Sequence, residues 1–148
     1  MDTLVTLTVV DLEGLLPEFQ GFLGDLRFYI GLFLLIGPLV MLALGAGMFF
    51  RPAKDATGVG YRALFGRGSK EAWRYTQWLA GLVWGGLGAL LTVMMIIVTI
   101  VLSGTPMQSA VEAAASWLIA EAVVALLAFI AVEVMVALRF DFKGRPRR

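Results

Sequence analysis

The chain contains neither cysteine nor histidine among its 148 residues, and only 16% of its residues are charged. The lack of cysteine excludes disulfides and thiolate metal sites. The lack of histidine removes the commonest general base and the commonest ligand of transition metals. Neither Ser–His nor Cys–His catalysis is therefore available. We expect a protein that is not an enzyme and that binds no cofactor or metal.

Apolar residues make up 59% of the chain and are concentrated in three long stretches. Residues 28–50 and 78–102 contain no charge, and residues 113–138 contain only Glu121 and Glu133. A helix of about 20 residues, at about 1.5 Å per residue, crosses a hydrocarbon core of about 30 Å. Lipid offers no partner for an unpaired backbone amide, so a spanning segment has to be helical. The sequence predicts an all-α integral membrane protein with three transmembrane helices, and the lipid bilayer is its first partner.

The predicted organisation is one membrane domain over residues 1–148. The predicted spans are residues 28–50, 77–102 and 113–138, joined by a loop at 51–76 and a turn at 103–112, with a tail at 139–148. Within residues 1–27, apolar residues recur every three or four positions between Leu15 and Leu26. This spacing predicts an amphipathic helix that lies on the outer leaflet or extends the first span. Ser69 is a favourable N-cap and Glu71 suits a first turn. We therefore expect an interfacial helix that runs without a break into the second span.

Basic residues are distributed unevenly between the two sides of these spans. Eleven of the twelve lie in the loop and the tail, and Arg27 alone lies on the other side. Eleven basic residues less three acidic residues give one side a charge near +8, and six acidic residues less Arg27 give the other a charge near −5. The positive-inside rule then predicts an N-terminus outside the cell and a C-terminus in the cytoplasm.

Two acidic residues fall inside the third span. Glu121 and Glu133 are twelve residues apart, about 120° around a helix, so they do not form a facing pair. Each could extend towards an interface, and Glu133 could pair with a cytoplasmic arginine. Either could instead be a proton or cation site, since intramembrane acids are often functional. That alternative predicts a small transporter or a channel-forming oligomer.

Small residues at the start of the second span, namely Gly81, Gly85 and Ala89, recur every four positions. This spacing lets another helix approach closely. The approaching helix could be the first span, the third span or a second copy, so a homo-oligomer stays open. In the loop, Arg62, Arg67 and Arg74 could bind lipid phosphates or an acidic protein. Nucleic acid is not an expected partner, because lipid headgroups are the nearer anions.

The loop also contains a specific pattern, Gly60-Tyr61-Arg62, followed by Ser69, by Trp73 eleven residues after the arginine, and by Gly81. This pattern resembles the signature loop of the SdpI/YfhL family of small bacterial integral membrane proteins. The resemblance extends upstream to Pro38 and Pro52, and downstream to Glu133 and the tail residues Phe140, Asp141 and Gly144. Ala63 departs from the family pattern, which has threonine there.

The resemblance implies a bacterial cytoplasmic membrane protein of the immunity type. It implies protection of the cell from a secreted, membrane-active toxic peptide and binding of a cytoplasmic regulator. It further implies that the residues of the pattern, with Arg74 beside them, contact a partner or lipid.

Overall fold

The computed structural model describes residues 2–54 and 60–147, and it describes side chains from Gly21 onward within those ranges. It contains three α-helices: α1 (Asp2–Phe50), α2 (Lys70–Ser103) and α3 (Met107–Arg139). Three segments are long and apolar enough to cross a membrane, namely Gly21–Phe50, Lys70–Ser103 and Met107–Arg139. The prediction of a helical chain with three such helices is confirmed.

Helix α1 is continuous from Asp2 to Phe50. Residues 2–27 therefore extend the helix of the first span, which is the second of the two arrangements that the sequence allowed. The predicted amphipathic face around Leu15 and Phe19 lies outside the described side chains. The amphipathic character of this segment accordingly stays a prediction.

Helix α2 begins seven residues before the predicted second span, so the connecting loop ends at Ser69 rather than at residue 76. Ser69 has an extended backbone, and its hydroxyl accepts a hydrogen bond from the Ala72 amide at 3.1 Å. Glu71 lies in the first turn, where an acid interacts favourably with the helix dipole. The predicted N-cap and the unbroken run into the second span are both confirmed.

The turn between α2 and α3 is shorter than the predicted 103–112, because α3 begins at Met107. Residues 107–112 continue the helix. Their polar side chains bond locally, with the Gln108 amide donating to the Glu112 carboxylate at 3.2 Å. Arg27 holds the turn to α1 by donating to the carbonyl oxygens of Ser103 at 2.6 Å and Thr105 at 2.7 Å. A guanidinium placed at the C-terminus of α2 also complements the dipole of that helix.

The closest backbone approaches join α1 to α2. Three glycines of α2 lie against α1, with Gly81 near Phe49, Gly85 near Gly45 and Gly88 near Leu42. Helices α1 and α2 are therefore antiparallel. A Cβ atom on Gly81 would lie only 2.7 Å from the Phe49 backbone nitrogen, so the glycine is needed for the approach. The predicted small-residue face is thus correct for Gly81 and Gly85, and its partner is α1. It is wrong for Ala89, which is exposed. The residues that contact α1 are spaced by four and then by three positions, so the face continues through Gly88.

The bundle has two distinct ends. The loop end carries residues 51–54 and 60–69 and the tail 139–147, which touch through Ser69 and Gly144. The turn end carries Arg27 and the α2–α3 turn. Between them, large apolar side chains such as Leu90, Ile100 and Ile119 are more than 60% exposed, as expected for helices that face lipid. Helix α3 approaches α1 less extensively than α2 does, which leaves a groove between α1 and α3.

Candidate functional site

The loop is held against α2 by the side chain of Gln77. Its amide oxygen accepts a hydrogen bond from the Tyr61 backbone N–H at 3.0 Å, and its amide nitrogen donates to the Tyr61 carbonyl at 2.7 Å. Gln77 is fully buried, so both bonds are shielded from water. Gly60 lies so close to the Gln77 amide that a Cβ atom would overlap it. Gly60 therefore serves close approach, and its neighbour Tyr61 is fixed on both sides of its peptide unit.

The ring of Tyr61 fills the space between α2 and α3. Its centroid lies 6.3 Å from that of Trp84 and 5.8 Å from that of Phe129, and its hydroxyl donates to the Phe129 carbonyl at 3.3 Å. Burial raises the pKa of the Tyr61 hydroxyl well above its ordinary value, and the negative charge of Glu133 acts in the same direction. The phenol therefore stays neutral and acts as a packing and hydrogen-bonding group.

Glu133 joins the loop to α3. Its Oε2 accepts a hydrogen bond from the Leu64 backbone N–H at 3.1 Å. The sequence suggested an arginine partner or an interfacial position. The observed partner is a backbone amide, because the loop folds back over α3 and brings an unpaired N–H to the carboxylate. Glu133 is thus a structural link between the loop and the third helix.

The start of α2 links the loop to the tail. The Ser69 hydroxyl donates to the Gly144 carbonyl at 2.8 Å while it caps the helix. Gly144 has a φ of 71° and packs against the backbone of Gly68 and Ser69. Both the left-handed backbone and the close approach require glycine at position 144. Ser69 and Gly144 therefore contact each other and join the start of α2 to the tail.

Trp73 packs inside the bundle at the start of α2. It is 2% exposed, and its indole N–H donates to the Ala53 carbonyl at 2.8 Å. The residue points inward because α2 begins three residues earlier, at Lys70, and turns this face towards the segment after α1. Trp78, by contrast, is 48% exposed.

The tail forms a compact turn on the loop end. Phe140 is buried, and it forms an isolated antiparallel bridge with Pro146. The Asp141 carboxylate accepts the backbone N–H groups of Arg145 at 2.8 Å and Lys143 at 2.9 Å. These hydrogen bonds, together with the nearby arginine charges, hold the pKa of Asp141 below its ordinary value. Asp141 therefore organises the tail, and its contact with a partner stays a prediction.

Arg62 is the member of the pattern that projects outward. It is exposed, whereas the backbone of Tyr61 before it is held by Gln77 and Ala63 after it is completely buried. The departure at Ala63 has a clear consequence, because a threonine hydroxyl there would be buried and would need a partner. Arg67 and Arg74 are exposed as well. The loop thus presents arginines from a backbone that its neighbours fix.

A basic cleft of about 530 Å³ lies beside the start of α2. Its charged lining consists of Lys70, Glu71, Arg74 and Arg139, and the Arg139 guanidinium stacks 4.4 Å from the centre of the Tyr75 ring. Three basic residues against one acid make the cleft suited to an anionic partner.

A lateral cavity of about 520 Å³ lies in the groove between α1 and α3. Leu44 and Gly47 of α1, Trp84 of α2 and Phe129 of α3 contribute to its lining, and Arg51 lies at the loop end. The sequence analysis did not identify this cavity. It also missed the hydrogen bonds by which Gln77 holds the loop. A glutamine four residues after Trp73, on the buried face of α2, was a usable signal for them.

Glu121 is the second acid of the predicted third span. It lies fourteen residues after Met107 and eighteen before Arg139, near the middle of α3. Helix α3 begins earlier than predicted, so more of the helix lies on the turn side of this residue. Glu121 is 8% exposed, and within the described residues its Oε1 is buried without a hydrogen-bond partner.

The other carboxylate oxygen of Glu121 faces α1. A Cβ atom on Gly37 would lie 2.9 Å from Oε2, so the glycine makes room for the acid. The next residue, Pro38, is fully buried and has no N–H to donate to the carbonyl of Leu34. Glu121 therefore faces the point where the hydrogen-bond ladder of α1 is interrupted. Glu121 and Glu133 therefore lie at two separate places in the bundle and make different contacts.

The described part of the chain contains no group of three or more acidic residues that could hold a metal ion. Its other polar features are exposed arginines, the basic cleft and the buried acid Glu121. The chain gives no significant match to a protein-family model, to a curated protein or to a solved structure.

Proposed function

We propose that the chain is a non-enzymatic, multi-pass protein of a bacterial cytoplasmic membrane, with its N-terminus outside and its loop end in the cytoplasm. The proposal rests on the three apolar helices and on the basic residues gathered at the loop end. In this orientation the turn end faces the outside of the cell. The basic cleft and Arg62 face the cytoplasm.

The proposed task is that of the SdpI type, namely protection of the cell from a membrane-active toxic peptide together with binding of a cytoplasmic regulator. The observation that carries the proposal is the conformation of the loop. Gly60, Tyr61, Ser69 and Trp73 all anchor the loop, and Arg62 alone among the Gly-Tyr-Arg…Ser…Trp residues projects away from it. An anchored backbone lowers the entropy that the arginine loses when it binds a carboxylate or phosphate.

The hydrogen bonds of Gln77, the cap at Ser69 and the link to Glu133 connect this loop to all three helices or their ends. A peptide that pushes against the helices from the membrane would therefore shift the loop, and a regulator bound to the loop would sense the shift. This physical connection is what an immunity protein with a signalling role requires.

The test is expression in a toxin-sensitive bacterium, with survival and membrane potential measured under a panel of secreted toxic peptides. We expect the wild type to protect, and Arg62→Ala to lose most of the protection at equal membrane abundance. The matched control is Lys143→Ala, which removes one exposed positive charge from the same end. Equal losses in both variants would show that only net charge matters, and no protection by the wild type would contradict the immunity role.

A second candidate function is proton or cation movement across the membrane, and the position of Glu121 favours it. A buried, unpartnered carboxylate oxygen near the middle of a span is costly, and such groups commonly mark ion pathways. Of the two intramembrane acids, Glu121 suits this role better, because Glu133 is engaged with the loop. A channel-forming oligomer would need further copies to complete the pathway.

Glu121→Gln is expected to abolish proton flux in vesicles that contain the reconstituted protein and a pH-sensitive dye. The substitution keeps the shape of the side chain and removes its titratable proton. The control is Glu112→Gln, an exposed acid on the same helix, which is expected to leave flux unchanged. The transport candidate is abandoned if wild-type vesicles show no more flux than empty ones.

A further inference from the structure

We propose that the lateral cavity between α1 and α3 binds one anionic phospholipid from the leaflet at the loop end. The acyl chain occupies the apolar groove, and the phosphate lies against Arg51. This inference does not require the proposed immunity role, although Gly60 and Tyr61 of the loop also line the cavity.

The shape and lining of the cavity suit an acyl chain. Its volume of about 520 Å³ lies within the range of about 300–1,000 Å³ that is usual for ligand sites. Ala43, Leu44 and Met48 line one side, with the aromatic rings of Trp84 and Phe129 on the other. Leu44 is 52% exposed and Phe129 is 46% exposed, so the cavity opens sideways towards lipid. A lateral apolar groove of a membrane-spanning bundle is filled from the bilayer, because leaving it empty loses dispersion contacts.

The charge at one end of the cavity selects the headgroup. Arg51 follows directly after α1, its backbone N–H donates to the Gly47 carbonyl at 2.9 Å, and its side chain is exposed. The segment after it is fixed by the bond from the Trp73 indole to the Ala53 carbonyl. The backbone of Arg51 is thus held where an apolar groove meets the basic end of the bundle, and its side chain lines the cavity. A phosphate with an attached acyl chain is the ligand that matches both features.

Glycine at position 47 keeps the groove open. A Cβ atom there would meet nothing within 4 Å, and Gly47 lines the cavity. A larger side chain at this position would therefore enter the cavity without displacing the backbone. Gly47→Leu is accordingly a blocking variant that leaves the helix packing in place.

The test is native mass spectrometry of the full-length protein in mild detergent, with added phosphatidylglycerol or phosphatidylcholine as the probe. We expect one phosphatidylglycerol per chain and weaker retention of phosphatidylcholine. Gly47→Leu should remove both lipids. Gly24→Leu is its control, since position 24 also has open space but lies far from the cavity on the same helix. Unchanged lipid retention in Gly47→Leu would overturn the proposal.

A second variant tests the preference for an anionic headgroup. Arg51→Ala should weaken phosphatidylglycerol binding about fivefold, the usual effect of one basic residue near a charged membrane surface. Phosphatidylcholine binding should stay as in the wild type. Arg67→Ala, which removes an exposed arginine that does not line the cavity, should leave both unchanged. Equal wild-type binding of the two lipids, or a dimer that excludes lipid from the groove, would overturn the proposal.

Discussion

Replacement of Gly88 by alanine is expected to destabilise the pairing of α1 and α2 by about 1–3 kcal/mol, the usual cost of overpacking a filled interior. A Cβ atom on Gly88 would lie 2.8 Å from the Leu42 Cα and 2.9 Å from the Met41 carbonyl carbon, and closer still to the Leu42 nitrogen. All three are backbone atoms that cannot rotate away. The helices must therefore separate, and the contacts of the neighbouring glycines weaken with them. Gly88→Val should cost more, because its two methyl groups reach further into α1.

Gly86→Ala is the matched control, since Gly86 lies on the same helix and a Cβ atom there would meet nothing within 4 Å. This variant should be as stable as the wild type or slightly more stable, by up to about 1 kcal/mol, because alanine favours helix over glycine. Equilibrium unfolding in mixed detergent micelles measures both variants. Equal stability of Gly88→Ala and Gly86→Ala would contradict the close α1–α2 approach.

Replacement of Gln77 by leucine should release the loop while the three helices stay packed. The substitution removes both hydrogen bonds to Tyr61 and leaves its N–H and carbonyl unsatisfied in a buried setting. An unsatisfied buried group costs about 1–3 kcal/mol. A loss of that size in local stability corresponds to amide exchange about 5- to 150-fold faster in residues 60–66.

Hydrogen–deuterium exchange followed by mass spectrometry measures this effect peptide by peptide. Gln108→Leu is the control, because it makes the same substitution at an exposed glutamine at the turn end. Exchange within α2 and α3 should stay as in the wild type for Gln77→Leu. Wild-type exchange of residues 60–66 in this variant would show that Gln77 does not hold the loop.

The two predictions concern different levels of the structure. The glycine contacts of α2 determine whether the helices pair, and Gln77 determines whether the loop docks on the pair that results. A Gln77→Leu protein that keeps its helices but loses its docked loop would also separate the proposed functions. Protection through Arg62 should fall with the loop, whereas proton flux through Glu121 should persist.

The spans followed from the sequence because hydrophobic length is a local property. Residues 28–50 and 78–102 carry no charge, and a helix satisfies its own backbone whatever it packs against. The N-cap at Ser69 followed for the same reason, since the hydroxyl bonds to an amide three residues away. The small-residue face of Gly81 and Gly85 was visible in the spacing, although the sequence left its partner open.

The positions of Glu121, Glu133, Trp73 and Gln77 were decided by the tertiary structure. Each makes its defining contact with a residue distant in the chain, as Glu133 does with Leu64 and Trp73 with Ala53. The place of Glu121 within α3 depends on where that helix begins, and Pro106 starts the helix without a side-chain cap. No local pattern specifies which loop amide meets which carboxylate.

The sequence by itself thus determined that the chain forms three membrane-length helices and that its positive charge gathers at one end. Both are sums over residues that do not depend on how the helices pack. Only the tertiary structure decided that Gly60 and Ser69 anchor a loop, that Arg62 projects from it, and that Arg51 closes one end of an apolar groove. These are relations between segments, and the close approach of α1 to α2, with α3 set further away, brings them about.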